Sequence, residues 1–384
     1  MEAPYDIILI GGGCSAMQWL RVFLEQEEAG QQQVLVVDKD QAFPDRTWCF
    51  WSNKPHGYEN IVTHSWSKIR FASPWGETMQ DVSPYRYHYV SGRHFFEAAS
   101  KELLSKSNVH RITDTVQAVH QVNGQTEVHG ETGQYSAKYV LSSVPSTEKL
   151  RNLSENKPLV KLWQHFRGWF IKTSEAAFDP EEVMLMDFRT PQRDGAVFFY
   201  VLPFTADYAL VECTVFGQQI WDQFAYEEAL RTYIRTYITT KDYEIKDTEE
   251  GRIPMSQRDF SRLGFDGTQA LGTAAGNVKP STGYMFLRSL RHVQQQFGAV
   301  PAQSVPPRFA FYDALLLRII EESPEEVSRI MHALFTRNPF QHVFRFLDEE
   351  SRLTDDIRMF ATLPWRPFLK QLFKKILQPN KDPL

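Results

Sequence analysis

Apolar positions open the chain as an unbroken run. Residues 5–10 (YDIILI) read as a buried parallel strand. The small residues Gly11-Gly12-Gly13-Cys14-Ser15-Ala16 follow at once, and 17–28 carry a helical pattern. Residues 34–38 (VLVVD) predict a second buried strand that ends in an acid. The period then changes. Residues 85–104 predict a short strand, a turn at Ser91-Gly92 and a helix. Residues 109–144 alternate apolar and polar around Asn123-Gly124, predicting a hairpin that feeds a buried strand at 139–143. Strands are predicted at 164–171 and 182–188, and a hairpin from 196–203 to 208–215. The helical period returns over 284–297. It closes the chain too: Trp365, Phe368, Leu369, Leu372, Phe373, Ile376 and Leu377 share one helical face, and Lys370, Lys374 and Lys375 fall on the other.

The first two strands bracket a dinucleotide signature. Gly11, Gly13 and Ala16 give the form G-x-G-x-x-A: Gly11 for the tight turn, Gly13 for close approach to a pyrophosphate, Ala16 for close helix–strand packing. Asp38 lies 22 residues beyond Ala16, where a carboxylate accepts hydrogen bonds from ribose hydroxyls. Its place at the start of the chain favours FAD over NAD. A second small-residue segment, 272–276 (GTAAG), leads through Pro280, Ser281, Thr282 and Gly283 into the 284–297 helix. Ser281 or Thr282 is expected to cap that helix. Gly272, Pro280, Thr282 and Gly283 are expected to let a flat ring approach the backbone, and the helix start favours negative charge on the ring.

Composition narrows the function. With 42 basic and 47 acidic residues, net charge −5, the chain has no bulk affinity for nucleic acid. Its three cysteines lie far apart and form neither a disulfide framework nor a CxxC site, which points to a reducing compartment and no metal. No GxxxxGK[ST] loop, no secretory leader and no run of about 20 apolar residues occurs. The sequon at Asn152 is read as chance. Aromatic residues reach 14%, which suits a large apolar or cationic ligand. The C-terminal amphipathic helix suits a membrane interface or docking on the protein itself.

Two segments offer chemistry. In 45–51 (DRTWCFW), Arg46 can pair with a phosphate or the adenine end of a cofactor, while Trp48 and Trp51 can wall a pocket. In 209–214 (ALVECT), Glu212 is a carboxylate within an apolar strand, and burial raises a carboxyl pKa into a range useful for acid catalysis.

These segments, with 164–169 (QHFRGW), 186–189 (MDFR), 200–204 (YVLPF), 249–255 (EEGRIPM) and 272–286 (GTAAGNVKPSTGYMF), resemble the β-type lycopene cyclase family, in family order. The resemblance implies an α/β fold akin to FAD-dependent hydroxylases and geranylgeranyl reductases. A Rossmann-like FAD-binding domain (1–55, 80–158 and 250–300) then carries an inserted antiparallel β-sheet substrate domain (56–79 and 159–249). A C-terminal helical region (301–384) covers the pocket or meets the membrane. The resemblance further implies a redox-neutral isomerisation that needs reduced FAD, with NAD(P)H as reductant. Protonation at C2 of a ψ-end of lycopene gives a C1 cation, the C5=C6 bond attacks it, and loss of a proton from C6 leaves a β-ring, through γ-carotene to β-carotene. Glu212 and Glu249 match the family's acids. Trp48, Trp51, Trp169 and Asp187 are expected in the substrate pocket. The chain departs from relatives in having Lys279 where His is common, Ala274-Ala275 where glycine is commoner, and Cys213 where an acid often stands beside Glu212. The expected location is cytoplasmic, on the inner face of the membrane; no oligomeric state follows. A reductase or hydroxylase acting on an isoprenoid, and a flavin-binding membrane-associated protein without catalysis, are the alternatives.

Overall fold

The structure, a computed structural model, describes residues 5–43, 46–146, 148–150, 160–302 and 304–377, apart from the side chains of 375–377. Asn152 therefore lies outside the described residues, as do the side chains of Lys375, Ile376 and Leu377.

The opening strands build a mixed sheet. Val109–Thr113, Val34–Asp38, Tyr5–Ile10 and Gln134–Ser142 lie parallel, and the short strand Gln269–Ala270 pairs with the far end of the last. Gln125–Gly130 and Val116–Val122 extend it antiparallel. The opening strands read as continuous apolar runs because both faces are covered. Ile7, Leu9, Val34 and Val36 pack with Met17 and Leu20 of the first helix and Val293 of a later one. Ile8, Ile10, Leu35 and Val37 pack on Val119 and Val128. The first helix, Cys14–Leu24, starts three residues before the periodic pattern, since extended Gly13 is already its N-cap.

The second sheet runs in the order Tyr243–Pro254, Trp163–Thr173, Tyr208–Gly217, Ala196–Thr205, Glu182–Asp187, Lys68–Ser73, Gly76–Asp81. Every pairing is antiparallel except Glu182–Asp187 with Lys68–Ser73. Strands Gly76–Asp81 and Tyr243–Pro254 cross the domain bounds expected at 79 and 249, because their ladders continue until the chain turns away. Alternation gives the sheet two faces. Phe198, Tyr200, Leu202, Leu210 and Phe216 share one core with the C-terminal helices Pro307–Glu322, Glu325–Arg337 and Phe340–Leu347. Val197, Phe199, Val211, Cys213 and Val215 face the helix Gln223–Tyr233.

A small sheet, Thr47–Ser52 with Arg86–Ser91 and His64–Trp66, bridges the two large ones. Helices Leu353–Thr362 and Trp365–Leu377 end the described chain. Among the described residues no helix is long and apolar enough to cross a membrane.

Candidate active site

Two glycine-lined loops meet at the end of the parallel sheet. Gly11 has φ +87°, and a Cβ there would lie 2.4 Å from Ser143 Oγ. A Cβ on Gly13 would meet nothing within 4 Å, and no side chain caps the helix it starts, so that helix start faces open space. Ala16 is fully buried. Asp38 brings its carboxylate back to this turn, accepting the Gly12 N–H at 2.5 Å and the Asp40 N–H at 3.0 Å. Gly272, at φ +61°, packs so close that a Cβ would sit 2.5 Å from Ser15 Oγ. Ser289 ties the same Ser15 at 2.8 Å. The second loop is thereby held against the first helix start.

The segment 279–284, which includes half-buried Pro280, closes on itself. The Lys279 N–H donates to Tyr284 O at 3.0 Å and the Gly283 N–H to Lys279 O at 2.9 Å. Gly283 has φ +74°. The helix that follows is Phe286–Gln296, two residues later than the pattern predicts, and it lacks a side-chain cap. Ser281 and Thr282 do not cap it: Ser281 Oγ donates to Asp313 at 2.7 Å, a stronger acceptor, while Thr282 Oγ1 is buried without a partner. Two uncapped helix starts, glycine in place of side chains and an orphaned hydroxyl fit a dinucleotide with a flat, polar-edged ring.

Beneath the second loop lies a cleft that encloses about 1160 Å³ when its open mouth is included. Its floor is set by strand register. Gly168 of Trp163–Thr173 pairs with Glu212 on one side and with Glu249 on the other. All three point to the same face, and both glutamates are buried. A Cβ on Gly168 would lie 2.8 Å from Leu210 Cδ1, 3.1 Å from Glu249 Cγ and 3.4 Å from Glu212 Cβ. The missing side chain is therefore what lets the carboxyl groups converge. Each is held by one threonine: Thr214 Oγ1 donates to Glu212 at 2.6 Å and Thr47 Oγ1 to Glu249 at 2.7 Å. Burial first, and the charge of Glu249 second, push the Glu212 carboxyl well above its ordinary range. Such a pair holds one proton more readily than none or two. Glu250, one residue on, turns to the other face and pairs with Arg167 at 2.6 Å.

Tyrosines surround the pair. Tyr200 lies directly across from Glu212, and the Tyr87 and Tyr284 hydroxyls stand 3.4 Å apart. Burial pushes the Tyr87, Tyr200 and Tyr284 phenols up, so they stay neutral near pH 7. Trp48 and Cys49 complete that wall, and Arg46 is exposed at the mouth.

Three residues expected in the pocket lie elsewhere. Trp169 follows Gly168, so alternation turns it to the opposite face, where Arg231 lies 5.3 Å over its ring. Asp187 is on that far face too, taking hydrogen bonds from Tyr233 and Arg189 at 2.7 Å each. Trp51 is screened from the cleft by Tyr284, ring centroids 4.6 Å apart, and donates to Asp348 at 2.6 Å. Gly168, Thr47, Tyr200 and Tyr284 join the site although nothing in 164–169, 45–51, 200–204 or 272–286 sets them apart by itself; the strand 200–204 in register with Glu212 points to Tyr200. Among the described residues no group of three or more His, Cys, Asp or Glu is placed to hold a metal ion.

A family model described as "Lycopene cyclase protein" matches residues 6–373. No curated protein matches the sequence. Solved structures share the fold. A geranylgeranyl bacteriochlorophyll reductase-like protein from Thermoplasma acidophilum is 14% identical, covering 97% of this chain and 99% of its own, with TM-score 0.60. A flavoprotein/dehydrogenase from Cytophaga hutchinsonii is 14% identical over 99% and 100%, TM-score 0.59. A single-residue mutant of the halogenase PltM, solved in complex with FAD, is 10% identical over 90% and 79%, TM-score 0.54. At such identities the likeness is one of fold: mixed α/β, of the flavoprotein kind, with helices after the sheets.

Proposed function

The chain belongs to the lycopene cyclase family, and from that premise we propose that it is a lycopene β-cyclase, closing the ψ-ends of lycopene to β-rings without net redox change. The observation that carries this reading is the pair of buried carboxyl groups over Gly168, one favoured protonated, in a cleft walled by Trp48, Tyr87, Tyr200 and Tyr284 beside the two glycine-lined loops.

Cyclisation needs a proton delivered and a proton removed, and the product is an isomer of the substrate. Glu212, protonated, donates to C2 of the ψ-end. The C5=C6 electron pair closes on the C1 cation. The proton then leaves C6 for a carboxylate of the pair, so the acid is reset with no oxidant or reductant consumed. We assign Glu249 as the partner that accepts or relays that proton. Trp48, Tyr87, Tyr200 and Tyr284 offer ring faces to the passing cation, each worth about 0.5–2 kcal/mol. The buried walls keep water from trapping it. FAD fits the two loops: Gly11, Gly13, Ala16 and Asp38 hold the dinucleotide end, Gly272, Pro280, Thr282 and Gly283 the ring, and Arg46 reaches from the mouth. When bound and reduced by NAD(P)H, the flavin supplies negative charge near the cation.

An isoprenoid reductase or hydroxylase would change substrate mass and consume NAD(P)H in proportion, and nothing in the carboxyl pair calls for that. The substrate is a hydrocarbon, so a membrane surface is the natural partner, met at the inner face from the cytoplasm. Expression in lycopene-accumulating cells tests the reading. A shift from red to orange, with a product isobaric with lycopene and co-eluting with β-carotene, is expected; unchanged lycopene, or a product of different mass, overturns it.

A further inference from the structure

The strand Trp163–Thr173 places a second group on the face that carries Gly168. Gln164 lies four residues earlier, so it shares that face and reaches the other end of the cleft, under the second loop. Its side-chain amide lies against Gly283. A Cβ on that glycine would meet Gln164 Oε1 at 2.2 Å and Cδ at 3.0 Å. Gln164 is 8% exposed, and its Oε1 is buried with no hydrogen-bond partner. Thr282 Oγ1, from the residue before Gly283 and 6% exposed, is likewise buried and unpartnered. An orphaned buried acceptor costs free energy, and two orphans converging on one left-handed glycine mark a place where a ligand completes the bonding.

We propose that Gln164 is a ligand of the flavin ring, its Oε1 accepting a ring N–H and its place on the Gly168 strand fixing the distance between ring and carboxyl pair. The inference rests on the reading that this chain holds FAD. It gives the substrate sheet a direct hand in cofactor binding. An isoalloxazine carries N–H donors on its edge, and an amide oxygen is the acceptor chemistry they require. Thr282 Oγ1 supplies the matching donor for a ring carbonyl or nitrogen. Phe166 lies between Gln164 and Gly168 on the same face, and its ring fills the space over Gly251, where a Cβ would meet it at 2.4 Å. The spacer between the two functional positions is thus packed firm.

Full-length wild type, Gln164→Leu and Gln164→Glu, each titrated with FAD, test the proposal. Three readouts are followed: dissociation constant by flavin fluorescence, positions of the visible bands, and midpoint potential in an anaerobic reductive titration. Gln164→Leu removes the acceptor at similar volume and is expected to bind FAD about three- to tenfold more weakly, with shifted bands. Gln164→Glu keeps an acceptor but adds negative charge beside a ring that gains electrons, so its midpoint potential falls below that of wild type while FAD stays bound. If one variant fails to fold, the other carries the test. Variants equal to a FAD-binding wild type in all three readouts overturn the inference and leave the cyclase reading intact. A wild type that binds no FAD overturns both.

Discussion

Glu212 and Glu249 meet over Gly168: they stand on the strands flanking it, and the space they share is the side chain that glycine lacks. The relationship makes residue 168 a control on the chemistry that leaves the cofactor loops untouched. Gly168→Ala puts a methyl group 3.1 Å from Glu249 Cγ and 2.8 Å from Leu210 Cδ1. Overpacking of this kind costs about 1–3 kcal/mol of stability. The expected outcome is a folded protein that binds FAD as wild type does, melts at lower temperature and cyclises lycopene at least tenfold more slowly. Calorimetry, flavin absorbance and product chromatography report the three quantities separately.

The raised pKa of Glu212 has a definite sign. In the unfolded chain this carboxyl titrates near 4.5; in the folded chain burial and the charge of Glu249 hold its proton to higher pH. Between those values the unfolded state has released a proton the folded state keeps, so stability falls as pH rises through that window. Glu212→Gln removes the effect. The melting temperature of the variant relative to wild type is therefore expected to rise as pH increases above about 4.5, the reference value, with no such trend below it. Cyclisation is expected to drop by about 10²–10⁴-fold, the usual loss for a general acid. A pH series of thermal melts alongside turnover assays checks both.

What the sequence made legible follows from periodicity. The apolar runs at Tyr5–Ile10 and Val34–Asp38 and the glycines between them are local signals, and they located the two central strands and the helix start between them. Glu212 was legible because an acid in an apolar strand is conspicuous. Register was not. Nothing within 164–169 says that Gly168 will pair with both Glu212 and Glu249, because the partners lie 44 and 81 residues away and their ladders depend on the whole sheet. The same blindness put Trp169 and Asp187 in the pocket, since which face a strand residue takes reverses with a shift of one. Lys279 shows another limit. In the sequence it is only a departure, lysine where relatives commonly have histidine. In the fold its Nζ is buried and bound by Asp313 at 2.8 Å and Glu349 at 3.0 Å, both from the C-terminal region.

That lysine is consequently a fastener between the second glycine-lined loop and the C-terminal region. Lys279→Met strands two buried carboxylates, of which Glu349 keeps Arg288 and Asp313 keeps Ser281. Breaking a buried pair from one side costs about 3–5 kcal/mol. Lys279→Met is expected to lose that much in urea unfolding, and Lys279→Met with Asp313→Leu to regain part of it. A single variant as stable as wild type contradicts the fastener role.

Asp348 offers a pH test away from the acid pair. Burial raises its carboxyl from 3.8 to about 7, against the lowering effect of the Trp51 indole N–H that bonds it. Its folded pKa exceeds the unfolded one, so its contribution to stability falls as pH rises from about 4 to 7. Trp51→Phe removes the donor that favours the charged form. The variant should be destabilised by about 1–3 kcal/mol, more above pH 7 than below pH 5, in melts across that range.

The outer surface carries the remaining prediction. On Leu353–Thr362, Leu353 and Ile357 lie one turn apart; on Trp365–Leu377, Trp365, Leu369 and Phe373 do the same. All five are between 37% and 62% exposed, unusual for apolar side chains so aligned on helix faces. Arg366, Lys370 and Lys374 share the last helix with them. Trp75, at the tip of the hairpin between Lys68–Ser73 and Gly76–Asp81, is 49% exposed beneath Arg329. Apolar residues flanked by cations suit the interfacial layer of an anionic bilayer. Phe373→Asp and Ile357→Asp are each expected to lower co-flotation with phosphatidylglycerol vesicles about tenfold or more, with melting temperature unchanged because both side chains already face solvent. Loss in Phe373→Asp alone confines docking to the last helix; loss in both assigns it to the two helices together; undiminished flotation in both removes this surface from membrane contact.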